Sequence, residues 1–318
     1  MGRSMNLQRL YLPIVAILTG AAATSALDQT QARAAGPADG ATQSAASIPD
    51  FSGRWGRNAF NFEPVEGGPK PVVNLARMPD GTSNIGQLVG DFRNPILKPE
   101  AAEIVKKKGE ISVSGHTYPD ASNQCRPYNP PFTLAMQLGL EMLQKKDGIT
   151  LIYDQDDQVR RVRLSASHPA KLTPSPMGDS IGHYEGDTLV VDTIGIKPGP
   201  YAMVDRYGSP VSGGLHVVER YRLIDGAAAK AAQERYEKTE GRLNAAPRLL
   251  DPDITKKGLQ VTVTVEDPNV FTTPWSGTVT YRPESPNMTW LEQVCAENPN
   301  EYYKDRWIGL PKADKPDF

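Results

Sequence analysis

The most constraining feature of the sequence is the block at residues 177–196, MGDSIGHYEGDTLVVDTIGI, which has the pattern of a β-hairpin. Two extended runs flank Gly186-Asp187, and a glycine followed by a short polar residue is typical of a two-residue type II′ turn. Because side chains alternate across a strand, that turn places His183 and Asp192 on one face. Both faces are partly apolar, so we expect the hairpin to lie inside a larger sheet.

Other segments also alternate with the period of a strand. The clearest is 259–267, which is apolar at every second position and ends in Asp267. The chain contains 28 Gly and 28 Pro, and with many short β-type runs this favours an all-β domain with long loops. About eight antiparallel strands predict an up-and-down barrel or a strongly curled sheet, because closure removes exposed edges. A sandwich is the alternative. The Gly-x-Trp at 53–55 resembles the strand entry of lipocalins, so the barrel is expected to be lipocalin-like.

Short peripheral helices are predicted between the strands. Residues 99–108 begin with Pro, carry acids in the first turn and end in Lys, as a helix dipole favours. A second helix is predicted over 132–144, and a third, over 227–240, lies within a helical insertion at 226–250. Late strands are expected at 275–281 and 288–295.

The N-terminus has the pattern of an export signal. Basic residues precede an apolar run and then small residues, which predicts a signal peptide at 1–26 or a later cleavage site near 34–35. Residues 27–47 are expected to be a disordered lead-in, followed by one β-rich domain over 48–318. We therefore expect a periplasmic or secreted protein. No stable membrane span is expected, because the apolar run is too short.

A net charge of −2 argues against a nucleic-acid partner.

Cys125 and Cys295 are the two cysteines of the chain. In an oxidising compartment such a pair is most simply one disulfide. Two unpaired buried thiols are the alternative.

Two familiar site patterns receive little support. Gly178-Asp-Ser-Ile-Gly182 matches the G-x-S-x-G elbow of serine hydrolases, but a hairpin follows it where the elbow needs a helix. The four histidines lie far apart and none has metal-ligand spacing. We expect neither a metal nor another cofactor.

Charged residues on apolar strand faces are the more informative signal. Glu219, Asp267 and Arg160 fall on such faces, and His183 and Asp192 are predicted to join them. A structural ion cluster explains this pattern, since a buried carboxylate must be paired. The other explanation is an acid/base site, with His183, Asp192, Glu219 and Asp267 as its catalytic groups. Binding residues would be Arg160 and, around an apolar pocket, Tyr153, Tyr184, Trp275 and Tyr281, with His216 at a rim or interface.

Several blocks together resemble a family of exported, uncharacterised bacterial proteins: NPILKPEAAEIVKKKGEI, GDSIGHYEGDTLVVDTIGIK, LHVVERYRLID, VTVEDPNVFTTPWSGTVTYR and VCAENPNEYY. The similarity covers nearly all of the mature chain. It implies that His183, Glu185, Asp187, Asp192, His216, Glu219 and Asp267 lie in signature blocks, but it carries over no catalytic residues. The insertion at 226–250 departs from shorter relatives.

Two functions follow from the sequence. The first is a cofactor-free enzyme that hydrates, eliminates or isomerises an apolar or aromatic small molecule in a barrel pocket. The second is a lipocalin-like carrier or periplasmic binding protein for a hydrophobic small molecule. A His–carboxylate pair open to the pocket would favour the enzyme, and neutral polar groups would favour the carrier. Assembly into a homo-oligomer is left open.

Overall fold

Ten β-strands and two α-helices form the computed structural model, which describes residues 48–116, 118–135, 139–164, 167–241, 248–290 and 292. The predicted signal peptide and lead-in lie outside these residues. The strands are β1 (Gly53–Gly56), β2 (Glu63–Pro64), β3 (Leu140–Gln144), β4 (Gly148–Tyr153), β5 (Gln158–Leu164), β6 (Asp179–Glu185), β7 (Thr188–Ile194), β8 (His216–Ile224), β9 (Gly258–Glu266) and β10 (Trp275–Pro283). The helices are α1 (Pro99–Val113) and α2 (Gly226–Glu240).

The sheet closes on itself. Strands are ordered β1-β3-β4-β5-β6-β7-β8-β9-β10, and β1 pairs with β10 through Trp55 and Pro283. The two-residue strand β2 pairs with β10, outside this ring. Closure satisfies the edge N–H and C=O groups that an open sheet would expose. The prediction of an all-β barrel with short helices is confirmed.

One strand pairing is parallel, whereas a purely antiparallel barrel was expected. β5 and β6 run in the same direction, with Val162 opposite Ser180. A parallel pair needs a crossover of about a dozen residues or more. The connection over 165–178 supplies that length.

The β6–β7 hairpin has the predicted register, with His183 opposite Val190. Gly186 at the turn has φ +61°, as the first position of a type II′ turn requires. The prediction that His183 and Asp192 point inward is wrong. Leu189 and Val191, on the opposite face, are fully buried, while the side chain of His183 is 57% exposed. The face of the hairpin that carries Leu189 and Val191 is the more apolar of the two, and it packs into the barrel interior.

The β4–β5 hairpin has the predicted faces but a different register. Arg160 lies opposite Leu151 and not Tyr153. The sequence predicts a two-residue turn at Asp156-Asp157, which would place Arg160 opposite Tyr153, but the connection includes a 3₁₀ turn over Gln155–Asp157 and is longer. A shift of two residues leaves every side chain on its predicted face, because the strand period is two.

The helix predictions are partly correct. α1 is confirmed and extends to Val113, and α2 occupies the predicted insertion. The helix expected over 132–144 is wrong: a 3₁₀ turn at Phe132–Ala135 is followed by β3, in which Leu140 and Met142 face the core. The strand expected over 288–295 does not form over its described residues 288–290 and 292.

Side chains from all around the barrel fill its interior. The largest that are fully buried include Trp275, Arg160, Tyr221 and Tyr281. On β9, Leu259, Val261, Val263 and Val265 are all inaccessible to solvent, which confirms the predicted inner face of that strand.

Among the described residues, no helix is both long and apolar enough to span a membrane.

Candidate functional site

A buried ion pair lies in the middle of the barrel. Arg160 of β5 contacts Glu219 of β8 at 2.9 Å, and both side chains are essentially inaccessible. The guanidinium also donates to Ser180 Oγ at 3.0 Å and Thr193 Oγ1 at 2.6 Å. Tyr221 donates its hydroxyl proton to Glu219 at 3.1 Å. The pair is therefore fully hydrogen-bonded inside a packed core, which is the arrangement that a structural role requires.

The predicted aromatic binding residues also pack in or on the core. The hydroxyl of Tyr153 lies 3.4 Å from Arg160. Trp275 meets Phe62 and Phe271 edge-on, and Tyr281 donates to a main-chain oxygen at 3.0 Å. Tyr184 is half-buried and accepts a bond from Gln144 at 3.0 Å.

Asp267 holds a loop and does not approach Glu219. It follows the last residue of β9 and accepts bonds from the main chain and hydroxyl of Ser212 at 2.9 and 2.6 Å. It also accepts from the Asn269 N–H at 3.1 Å. These bonds fix the loop that precedes β8 against the loop that follows β9.

His216 and Asp192 meet on the outer surface of the barrel, together with a histidine that sequence reasoning did not select. Asp192 contacts His216 at 3.1 Å and His168 at 3.0 Å. The other ring nitrogen of His168 lies 2.7 Å from Asp179, which Arg163 also binds. His168 lies on the crossover between β5 and β6, so this cluster ties that crossover to the barrel wall. Among the described residues, no group of three or more His, Cys, Asp or Glu could hold a metal ion.

A cavity of about 240 Å³ lies away from all of these residues. None of its lining residues belongs to a strand, because α1 and three loops form its walls. The lining includes Ile85, Leu88, Lys108, Tyr118, Asp120 and Arg206. The lining is mixed: a few apolar side chains, among them Ile85 and Leu88, lie beside convergent polar and charged groups, and such polar groups fix the orientation of a bound small molecule.

Three successive lysines of α1 have different surroundings. Lys106 is partly exposed and Lys107 is exposed, and they pair with Glu110 and Glu103, each at 3.7 Å. Lys108 lies on the buried side of the helix with Ala101 and Val105 and is only 7% exposed. The positions 101, 105 and 108 share one helix face by their spacing. Packing of α1 therefore buries this one lysine.

The amine of Lys108 has an unusual environment. Nζ lies 4.2 Å from the centroid of the Tyr118 ring, and no hydrogen bond or salt bridge joins it to any described residue. Its stem runs against Gly208, where φ is +85° and an added Cβ would lie 1.8 Å from Lys108 Cδ. Burial lowers the pKa of Lys108 to about 8, although the nearby carboxylates Asp205 and Asp120 oppose this shift.

Both carboxyl groups are themselves perturbed. Asp205 is buried, and its Oδ1 accepts main-chain bonds from Tyr207 at 2.8 Å and Ser209 at 3.3 Å. Its Oδ2 has no hydrogen-bond partner among the described residues. Asp120 accepts from the Asn123 N–H at 3.0 Å. Burial raises the pKa of both groups.

A second cation faces the same cavity. The Arg206 guanidinium stacks over the Phe60 ring, 3.6 Å from its centroid, and makes no hydrogen bond with a described residue. A guanidinium carries five N–H donors that suit a carboxylate or phosphate. The cavity therefore presents two cations whose donors are free to bind an anion.

Sequence reasoning missed Lys108, Asp120 and Arg206. One signal was available, because Lys108 continues the apolar stripe of its helix while its two neighbours do not. Nothing in the local sequence marks Asp120 or Arg206, which lie in loops that only the fold brings to α1.

No family model, no curated protein and no solved structure matches the chain.

Proposed function

We propose that the protein is an enzyme that binds a small organic anion in the α1 cavity and moves protons on it by acid/base chemistry. The observation that carries the proposal is Lys108, a buried amine that faces a cavity without a hydrogen-bonding partner among the described residues. The proposal keeps the class of chemistry expected from the sequence and moves its site from the barrel to the cavity.

The roles of the residues follow from their charges. Arg206 binds the anionic group, and Ile85 and Leu88 contact the apolar part of the molecule. Lys108 is the general base, since a pKa of about 8 leaves a useful fraction of free amine near neutral pH. Asp120 exchanges protons with it. Two cations and one lining carboxyl favour an anion over a neutral hydrophobic molecule.

A binding protein is the second candidate. Two cations that lack acceptors are sufficient to hold an anion without any chemistry. This candidate predicts saturable binding and no conversion of the ligand.

The test combines binding with proton exchange. Small carboxylic, hydroxy and oxo acids are titrated by calorimetry, and each that binds is then followed by proton NMR in D2O. We expect carbon-bound hydrogen next to the carbonyl or carboxylate to exchange, at a rate that rises with pH around 8. Lys108→Met should abolish exchange and Arg206→Gln should weaken binding about tenfold or more, while Lys107→Met leaves both unchanged.

Three outcomes decide between the candidates. Exchange that depends on Lys108 supports the enzyme. Binding without exchange supports the binding protein. If no anion binds, or if Lys108→Met and Arg206→Gln bind as the wild type does, the cavity has neither role.

A further inference from the structure

The chemistry available at the α1 cavity extends beyond proton transfer, and this inference rests on the function proposed above. An amine can act as a base or as a nucleophile. A lysine becomes nucleophilic where burial removes its water and no carboxylate pairs with it. Lys108 meets both conditions among the described residues, since it is buried and has no salt bridge.

We propose that Lys108 forms an imine with the carbonyl carbon of a small oxo acid whose carboxylate is bound by Arg206. The ligand class follows from the guanidinium of Arg206 and the amine of Lys108. Arg206 offers a planar set of donors that matches a carboxylate, and Lys108 offers an amine to a carbonyl. A cavity of about 240 Å³ is smaller than a typical drug-sized pocket, so the acid must be small.

The reaction balances within the cavity. The Lys108 nitrogen attacks the carbonyl carbon, a C–N bond forms, and the π electron pair moves to the oxygen. Asp120 moves one proton from the nitrogen to that oxygen and then donates its own carboxyl proton to the resulting hydroxyl group. The C–O bond then breaks and water leaves, so that the amine, the carbonyl and the Asp120 carboxyl group become a protonated imine, water and a carboxylate. No oxidant or reductant is needed.

The surroundings of Nζ stabilise the charged form of this intermediate. A protonated imine carries the same single positive charge as the ammonium group that it replaces. The face of the Tyr118 ring, 4.2 Å from Nζ, attracts such a cation. The unpaired oxygen of buried Asp205 supplies negative charge near the same amine.

Borohydride trapping tests the proposal. The full-length protein is incubated with glyoxylate or pyruvate, then reduced with sodium cyanoborohydride, and modified lysines are located by peptide mass spectrometry. We expect one secondary amine, at Lys108, with at least tenfold lower labelling of the more exposed neighbours Lys106 and Lys107. Arg206→Gln should reduce labelling at Lys108 by oxo acids, but not by an uncharged aldehyde such as acetaldehyde.

The outcomes separate this inference from the function on which it rests. Equal labelling of all three lysines, or none at Lys108 while calorimetry shows that the oxo acid binds, overturns the imine and leaves the acid/base site intact. If calorimetry detects no binding of any organic anion, the site itself is refuted. Lys108→Met serves as the unlabelled reference, and its circular dichroism spectrum confirms that it is folded.

Discussion

Replacing Lys108 by methionine should stabilise the protein at neutral pH. Methionine has nearly the length of the lysine stem and needs no water at its end. Lys108 is 7% exposed, so its charge is held out of water. A fall in its pKa from 10.5 to about 8, at about 1.4 kcal/mol per pH unit, corresponds to about 3 kcal/mol of opposition to folding.

The contact with Tyr118 acts in the other direction. Loss of a cation–π interaction costs about 1 kcal/mol, so the net gain expected for Lys108→Met at pH 7 is about 2 kcal/mol. The advantage of the variant shrinks towards zero at high pH, because the neutral amine has neither the desolvation cost nor the cation–π contact. The folded pKa lies below the unfolded pKa, so the unfolded chain binds more protons between pH 8 and 10.5, and wild-type stability rises across that window relative to the variant.

Urea denaturation at pH 7, 8, 9 and 10 measures this difference. Lys107→Met is the matched control, because Lys107 is exposed on the same helix and should change stability by less than about 0.5 kcal/mol. A Lys108→Met protein that is less stable than wild type at pH 7 would refute the reasoning. A difference in the free energy of unfolding between wild type and variant that stays constant with pH would also refute it. A residue that opposes folding is expected where function needs it.

Three further predictions concern the barrel and the cysteines. Glu219→Gln should destabilise the fold by about 3–5 kcal/mol in thermal or urea melts, because it leaves the buried charge of Arg160 without its partner; a change below about 1 kcal/mol would contradict a structural role. The Arg163 hydrogen bond lowers the pKa of Asp179 below its ordinary value of 3.8, so Asp179→Asn should lose about 1–2 kcal/mol at pH 7. The difference from wild type should shrink only as the pH falls below 3.8, through the lowered pKa of the folded protein; a constant difference would mean that the carboxylate charge is not responsible. The predicted export to an oxidising compartment implies that thiol titration of the denatured, unreduced protein finds no free thiol. Two free thiols would exclude the predicted disulfide between Cys125 and Cys295, of which Cys295 lies outside the described residues.

Local patterns in the sequence determined the elements of the barrel. Period-2 alternation identified β9 and the buried side of β8, including Glu219, because a strand with one buried face must alternate. The turn at Gly186 determined the register of its hairpin, since a two-residue turn leaves only one pairing. The pattern could not decide which face of that hairpin is inside. Both faces carry apolar residues, and only packing against the other strands chose between them.

Tertiary structure alone decided the closure of the barrel, the parallel β5–β6 pair and the position of the candidate site. Closure and the parallel pair join segments that are distant in sequence, and local periodicity contains no information on such contacts. Lys106, Lys107 and Lys108 are the same residue type. They differ in burial only because α1 packs on the loops around Asp120 and Arg206, which covers Lys108. The pKa of an amine depends on the water and charges around it, and the fold alone determines that environment.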